Sequence, residues 1–212
     1  MKKSADAAKG IAIRIKDFMK ERKVFRYDSD SPFSYVAAMF QDKGVAAVTP
    51  SSKYLVSRVI RALEPVHARV VVEYGPAEGV MTRRILDRMP KDGRLIAVEL
   101  NEQFAQALSR SVRDERLIVL HGDASRVEAI LAEQGVGEAD AIISGIPFSF
   151  FSPEERRSLV AKTRTALRHG GRFIAYQCTT HLIPVLKQHF HKVHTELELR
   201  NLPPHFVFTA VK

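Results

Sequence analysis

The sequence predicts an α/β fold: a doubly wound, mostly parallel seven-stranded sheet carrying an amino-terminal amphipathic helical extension. Three observations predict it. From Arg69 onward short β-rich runs alternate with helical stretches, the pattern of a parallel sheet covered by helices on both faces. A turn of small residues joins the first strand to its helix, as in sheets that bind ligands at their strand ends. The last two β-rich runs follow each other with only a proline-stiffened link between them, which suits a closing antiparallel pair.

The strands are expected at Arg69–Tyr74, Arg94–Leu100, Arg116–His121, Ala139–Ser144 and Gly171–Cys178, then His194–Leu199 and His205–Val211. Helices start near Val80, Asn101, Ser125 and Ser152 after the first four strands, and a further helix spans Thr180–Phe190. Residues 67–212 form the core on this reading, and residues 1–66 form an extension or lid within the same domain. In the extension, Ala8, Ile11, Ile15, Phe18 and Phe25 recur at helical spacing between Ala5 and Arg26, while Lys9, Arg14, Lys16, Lys20, Arg22 and Lys23 fill much of the remainder. That is a basic amphipathic helix, suited equally to packing on the domain or to lying on a charged surface. Breakers from Asp28 to Pro32 follow, then a helix from about Ser34 to Phe40 and another over Lys53–Leu63, where Ser or Thr is available as a cap.

A chain of 212 residues with a formal charge of +9 can bury one substantial core and favours a polyanionic partner, whether nucleic acid, an acidic membrane surface or an anionic ligand. The single cysteine, Cys178, allows no internal disulfide, and His189, His191 and His194 read as a solvated turn instead of a metal site, so no metal is expected. Lys9, Arg14 and Lys16 interrupt any apolar signal core, and no stretch approaches the length needed to span a bilayer. A cytoplasmic protein is therefore expected.

The first strand ends in Glu73-Tyr74-Gly75-Pro76-Ala77-Glu78-Gly79. Gly75 and Gly79 let the backbone approach a ligand closely. Glu99 closes the second strand, where nucleotide-binding sheets place a carboxylate on ribose hydroxyls, and Asp123 closes the third, placed to accept from an adenine amino group. Taken singly, each acid is a candidate helix or turn cap. Together they converge on the switch point of the sheet, with Pro76, Leu100, Ala124 and Ser144 completing the expected lining. A diphosphate would call for a fuller glycine pattern, and Glu78 would repel it. S-adenosylmethionine is a nucleoside cofactor without phosphate and meets both conditions.

With these residues in place, the sequence resembles class I methyltransferases over nearly its whole length. It resembles more narrowly the bacterial phospholipid N-methyltransferases, which methylate phosphatidylethanolamine towards phosphatidylcholine and are similar to the rRNA adenine dimethyltransferases. The narrower likeness is carried by Gly44-Val45-Ala46-Ala47-Val48-Thr49-Pro50-Ser51-Ser52, by Ser144-Gly145-Ile146-Pro147-Phe148 and by Arg200-Asn201-Leu202-Pro203-Pro204. The resemblance implies that Ser51 or Ser52 lies near the methionine end of the cofactor. It also implies that the amino-terminal helix rests on the inner face of the membrane and helps enclose an aminophospholipid head group, with nucleic acid a less favoured partner. Tyr27, Tyr35, Phe148, Phe150, Phe151 and Tyr176 are candidates for aromatic contacts to a methylated ammonium, and His181 and Arg200 for a phosphate clamp. The alternatives are an rRNA adenine N6 or small-molecule methyltransferase and, in another class, a binding module with a degenerate pocket. The related adenine enzymes carry Asn-x-Pro-aromatic after the fourth strand, where this sequence has Gly145, so a side-chain acceptor for a flipped base is missing.

Overall fold

The computed structural model describes residues 51–64 and 67–212. The described elements are, in order, α1 (Lys53–Leu63), β1 (Val70–Tyr74), α2 (Val80–Leu86), β2 (Arg94–Glu99), α3 (Glu102–Ser111), β3 (Leu117–His121), α4 (Val127–Glu133), β4 (Ala139–Ser144), α5 (Pro153–Ala166), β5 (Leu167–Gln177), α6 (Ile183–His189), β6 (Lys192–Glu198) and β7 (His205–Val211). The extension's predicted helices before Ser51 lie outside the described residues.

The seven strands form one sheet in the order β3-β2-β1-β4-β5-β7-β6. The first five are parallel to their neighbours, and β7 lies antiparallel between β5 and β6. This is the doubly wound fold the sequence predicts. The order reverses between β1 and β4, so connections leave in opposite directions there and a crevice opens at the carboxyl ends of the strands.

Alternation along the strands builds two cores, as period-two side-chain geometry requires. Val72, Tyr74, Ile96, Val98, Ile142 and Phe173 face Val127, Leu131, Leu159, Val160 and Leu186 of α4, α5 and α6. Their alternates Val71, Leu95, Ala141, Ile143 and Ile174 face Leu55, Val59, Ile60 and Leu63 of α1 and Ile85 of α2. The buried residues of α1 recur at helical spacing on one side, so the helix closes the second face. Ser52 caps its start, accepting from the Leu55 amide at 3.2 Å. At the opposite face, α5 begins with a reciprocal cap in which Ser152 and Glu155 satisfy each other's backbone amides, with Pro153 in the first turn.

Several element bounds differ from expectation. The fifth strand starts at Leu167, directly after α5, and its pairing with β4 slips between Ala139 and Ala141 before Arg172. The helix expected near Ser125 opens with a 3-10 turn, Ala124–Arg126, because Asp123 accepts from the Ser125 amide at 2.7 Å and tightens that turn. The helix expected from Thr180 starts at Ile183, with Pro184 in its first turn, and β6 runs Lys192–Glu198, earlier than expected at both ends.

Candidate active site

Parallel register sets the site. Tyr74 pairs with Val98 on one side and Ser144 on the other, and Ser144 pairs with Ala175. The residues that follow these strand ends therefore stand side by side: Gly75 after β1, Glu99 and Leu100 at the end of β2, Gly145 after β4, and Tyr176 near the end of β5. Backbone hydrogen bonds hold the row, from the Gly75 amide to Val98 O at 2.9 Å, the Gly145 amide to Tyr74 O at 3.1 Å and the Gly122 amide to Glu99 O at 2.9 Å.

The turn after β1 has Gly75 at φ +66° and Gly79 at φ +78°, left-handed values that favour glycine. Space is restrictive as well. A Cβ on Gly79 would stand 2.3 Å from Leu108 Cδ1, so α3 packs directly against the loop. The Glu99 carboxylate is buried and accepts from the Ala77 amide at 3.1 Å and the Asn101 amide at 2.9 Å. It thus fastens the glycine loop to the end of β2. Burial raises its pKa, opposed by those backbone hydrogen bonds.

Glu73 is 2% exposed and accepts from the Thr82 hydroxyl at 2.7 Å. Burial, reinforced by the charge of Glu99, pushes its carboxyl up to about 7. Two close carboxylates in a poorly solvated crevice suit a cation more than an anion. Asp123 is partly buried at the end of β3, one oxygen committed to the Ser125 amide. Beside it, a Cβ on Gly122 would meet nothing within 4 Å, so there is open space at that edge.

Residues 71–171 match the family described as a methyltransferase domain. The chain is 34% identical over 166 residues to the ornithine lipid N-methyltransferase of Singulisphaera acidiphila, a match covering 76% of this chain and 84% of that protein. The chain belongs to the class I S-adenosylmethionine-dependent methyltransferases. It is also 33% identical over 99 residues to ribosomal RNA small subunit methyltransferase A of Bordetella pertussis, covering 47% of this chain and 35% of that one. Among solved structures, the O-methyltransferase TomG from Streptomyces achromogenes, in complex with S-adenosylmethionine, superposes with a TM-score of 0.64 at 12% identity, over 94% of this chain and 96% of that chain. Magnesium protoporphyrin IX methyltransferase from Synechocystis, also with the cofactor bound, gives 0.64 at 11% identity over 88% and 100%. These two likenesses show the fold.

The residues of this methyltransferase fit its cofactor. Glu99 accepts from the Ala77 and Asn101 amides and is also held by the Leu100 amide, and a carboxylate has about four acceptor sites, so acceptor capacity would remain for a ribose hydroxyl. Gly75, the buried Pro76 and Gly79 would form the close-approach loop, Glu73 and Glu99 would offset the cofactor's positive charges, and Leu100 and Asp123 would lie toward its base. Ala124 is buried beneath that side. Ser144 is fully buried and accepts from the Ile146 amide at 3.2 Å, so it shapes the turn after β4 from below.

Two of the segments that carry the narrower likeness meet. The Ser52 amide donates to Asn201 Oδ1 at 2.8 Å, and Asn201 Nδ2 donates to Pro203 O at 2.9 Å. Asn201 is 3% exposed, a buried amide that joins the start of α1 to the β6–β7 turn. Sequence reasoning missed its role, although a polar residue enclosed between Arg200 and the Leu-Pro-Pro run is the available signal. Asn101 was missed too. It caps α3 by accepting from the Gln103 and Phe104 amides at 2.9 and 3.2 Å.

The substrate-side candidates divide. Tyr176 stands at the crevice. Phe148 is a core residue, fully buried with ring centroids 5.6 Å from Phe151 and 6.1 Å from Phe173, which corrects the expectation that its ring meets substrate. Phe151, 3% exposed, is core as well. The short helical turn after Pro147 rotates both rings inward. Arg200 is not a free clamp: it donates to both oxygens of Glu198, at 2.8 and 3.1 Å, and lies 4.1 Å over the Tyr54 ring. Arg58 reaches the same Glu198 at 3.0 Å. The Arg200 guanidinium, with help from Arg58, holds the buried Glu198 carboxyl down to about 2. His181 is exposed in the turn before α6. Tyr27, Tyr35 and the Phe150 side chain lie outside what the structure describes. Among the described residues no His, Cys, Asp and Glu cluster could hold a metal. A depression of about 1150 Å³ lies at the opposite end of the sheet, where Asp114 and Arg116 pair with each other.

Proposed function

We propose that this methyltransferase transfers a methyl group to the amine of phosphatidylethanolamine or a related aminolipid at a membrane surface, towards phosphatidylcholine in the first case. One observation carries the reading: the similarity to a lipid N-methyltransferase spans 84% of that protein, whereas the similarity to the rRNA methyltransferase is confined to 99 residues and 35% of its length. The geometry agrees. A Cβ on Gly145 would lie 2.6 Å from the Tyr176 hydroxyl, so the position after β4 has no side chain to hold a planar base, and adding one would require that hydroxyl to move.

Peripheral attachment, from the cytoplasmic side, is supported by the basic amino-terminal pattern and by the β6–β7 turn. Leu199 and Leu202 are 69% and 73% exposed there, on either side of Arg200 and next to the buried Asn201 that holds the start of α1. Exposed leucines beside cationic and aromatic side chains suit the lipid–water interface. No helix among the described residues is long and apolar enough to cross a membrane.

When bound, S-adenosylmethionine supplies an electrophilic methyl on a sulfonium. The protein's task is alignment of the acceptor nitrogen behind that methyl and maintenance of the neutral amine, whose ordinary pKa of about 10 favours the protonated form. Burial from water at the ends of β1, β4 and β5 disfavours the ammonium. The test is transfer of labelled methyl to vesicles containing phosphatidylethanolamine, to vesicles containing ornithine lipid and to small-subunit rRNA under matched conditions. Label in lipid is expected. Label in adenine with both lipids unlabelled overturns the reading in favour of RNA.

A further inference from the structure

We propose that the Tyr176 hydroxyl is the hydrogen-bond partner of the acceptor amine, accepting from a substrate N–H and thereby fixing the direction of the nitrogen lone pair. The inference rests on the reading of the acceptor as an amine and adds to it the residue that orients that amine.

Register and packing place the group. Ala175 pairs with Ser144 and Ser144 with Tyr74, so Tyr176, Gly145 and Gly75 form a row across three strand ends at the switch point. The ring packs against the apolar cluster beneath α1 and α2, and the hydroxyl projects to within 2.6 Å of the point where a Cβ on Gly145 would stand. The carbonyl oxygen of Gly75 lies 3.5 Å from that same point. The hydroxyl therefore borders the glycine loop that holds the cofactor, in space that any side chain at position 145 would take.

The neighbouring polar groups have protein partners. Tyr74 Oη meets Thr163 at 3.3 Å, Thr82 donates to Glu73, Ser144 accepts from Ile146, and Gln177 accepts from the Phe148 amide at 3.0 Å and donates to Thr179. The Tyr176 hydroxyl makes no hydrogen bond to the described residues, and Tyr176 is only partly buried. No buried side-chain nitrogen or oxygen among the described residues lacks a partner, so this hydroxyl is left to the crevice and to whatever enters it. Burial, with the charge of Glu73, also raises the phenol above its ordinary range. It stays protonated and can accept through oxygen.

In the transfer, the nitrogen lone pair forms the N–C bond while the S–C bond breaks and leaves its electron pair on sulfur, so the positive charge passes from sulfonium to ammonium. A primary or secondary amine then loses a proton to solvent; a tertiary amine becomes quaternary and loses none. An N–H donated to Tyr176 points one substituent at the hydroxyl and directs the lone pair away from it, towards the cofactor. A tertiary amine has no N–H. The only bond it can make to Tyr176 uses its lone pair, which competes with attack. The hydroxyl therefore favours early methylations over the last one.

The experiment measures initial rates of Tyr176→Phe and the unaltered chain on vesicles carrying phosphatidylethanolamine or its N,N-dimethyl derivative in the same lipid background. The ratio of primary-amine to tertiary-amine rate should fall at least about five-fold in the variant, as loss of one net hydrogen bond implies, with cofactor affinity retained. Gly145→Ala, whose Cβ displaces the hydroxyl, should lower the same ratio, and adding it to Tyr176→Phe should lower the ratio little further. An unchanged ratio, an equal fall for both amines, or independent effects of the two substitutions overturns the assignment. Absence of transfer by the unaltered chain to either amine and to ornithine lipid vesicles run beside them overturns the amine reading itself, a result distinct from an unchanged ratio.

Discussion

Replacing Glu73 by Gln tests the electrostatics of the site directly. Glu73 is 2% exposed, and burial holds its carboxyl near 7 against an ordinary 4.5. The folded chain therefore binds this proton more tightly than the unfolded chain does, and linkage fixes the sign: the contribution to stability is complete below pH 4.5 and is lost as pH rises through about 7. A separation of about 2.5 units at about 1.4 kcal/mol each gives a full swing of roughly 3 to 4 kcal/mol, most of which falls between pH 5 and pH 8. Glu73→Gln has no proton to lose, so the stability difference between variant and parent should shift by about 3 kcal/mol in the variant's favour between pH 5 and pH 8, whatever fixed cost the amide brings. For a chain of this size that corresponds to a relative change of about 6 to 12 °C in Tm. Thermal unfolding of both proteins across that range is the assay, and parallel profiles would refute the reasoning. A bound cation favours the ionised carboxylate, so cofactor affinity in the parent should weaken as pH falls below about 7, and the Gln variant should lose most of that dependence.

Glu99→Ala and Asp123→Ala should each weaken S-adenosylmethionine binding by about 1.5 to 3 kcal/mol, the worth of a charge-assisted hydrogen bond. Calorimetry on folded variants checks this, and unchanged affinity in both removes the assignment of the nucleoside side of the pocket. Deletion of Met1 to Lys23 should reduce co-sedimentation with anionic vesicles, more strongly at low salt, because each basic residue near an anionic leaflet contributes on the order of 1 kcal/mol. Equal sedimentation of both chains returns that segment to a packing role.

The sheet was legible because its strands are short apolar runs ended by Gly, Asp or Glu, and parallel strands buried on both faces leave little else in such runs. The carboxyl ends were read closely for β1, β3 and β4, where a ligand site demands acids and glycines. The start of β5 was hidden. Leu167-Arg168-His169-Gly170 carries almost no apolar signal, yet Leu167 pairs with Ala139 before the register slips. Pairing there follows from α5 delivering the chain onto the sheet edge, a tertiary constraint that local pattern does not encode. The clamp formed by Arg58, Glu196, Glu198 and Arg200 was hidden for the same reason, since its members come from α1, β6 and the turn beyond.

The site separates along the same line. Positions read from backbone demand, Gly75, Gly79 and the strand-end acids, fall where the sequence puts them, because glycine spacing and strand length fix the backbone path. Positions read from side-chain chemistry depend on which way the chain turns. An aromatic residue after β4 serves a crevice or a core equally well, and the tight turn at Phe148 to Phe150 sends the Phe148 ring to the core. Tyr176 shares strand parity with Ile174, whose face packs under α1 and α2, so period-two alternation alone assigns it to the Glu73 side of the sheet. At Gly145 the sequence shows only a missing side chain. The structure shows the phenol hydroxyl of the neighbouring strand 2.6 Å from where a Cβ at position 145 would stand, so the polar group at this place comes from β5. A rigid amide beside a planar base and a phenol oxygen beside a rotating alkyl amine make different demands on an acceptor, and on the proposed aminolipid reading the pair Gly145 and Tyr176 would meet the second.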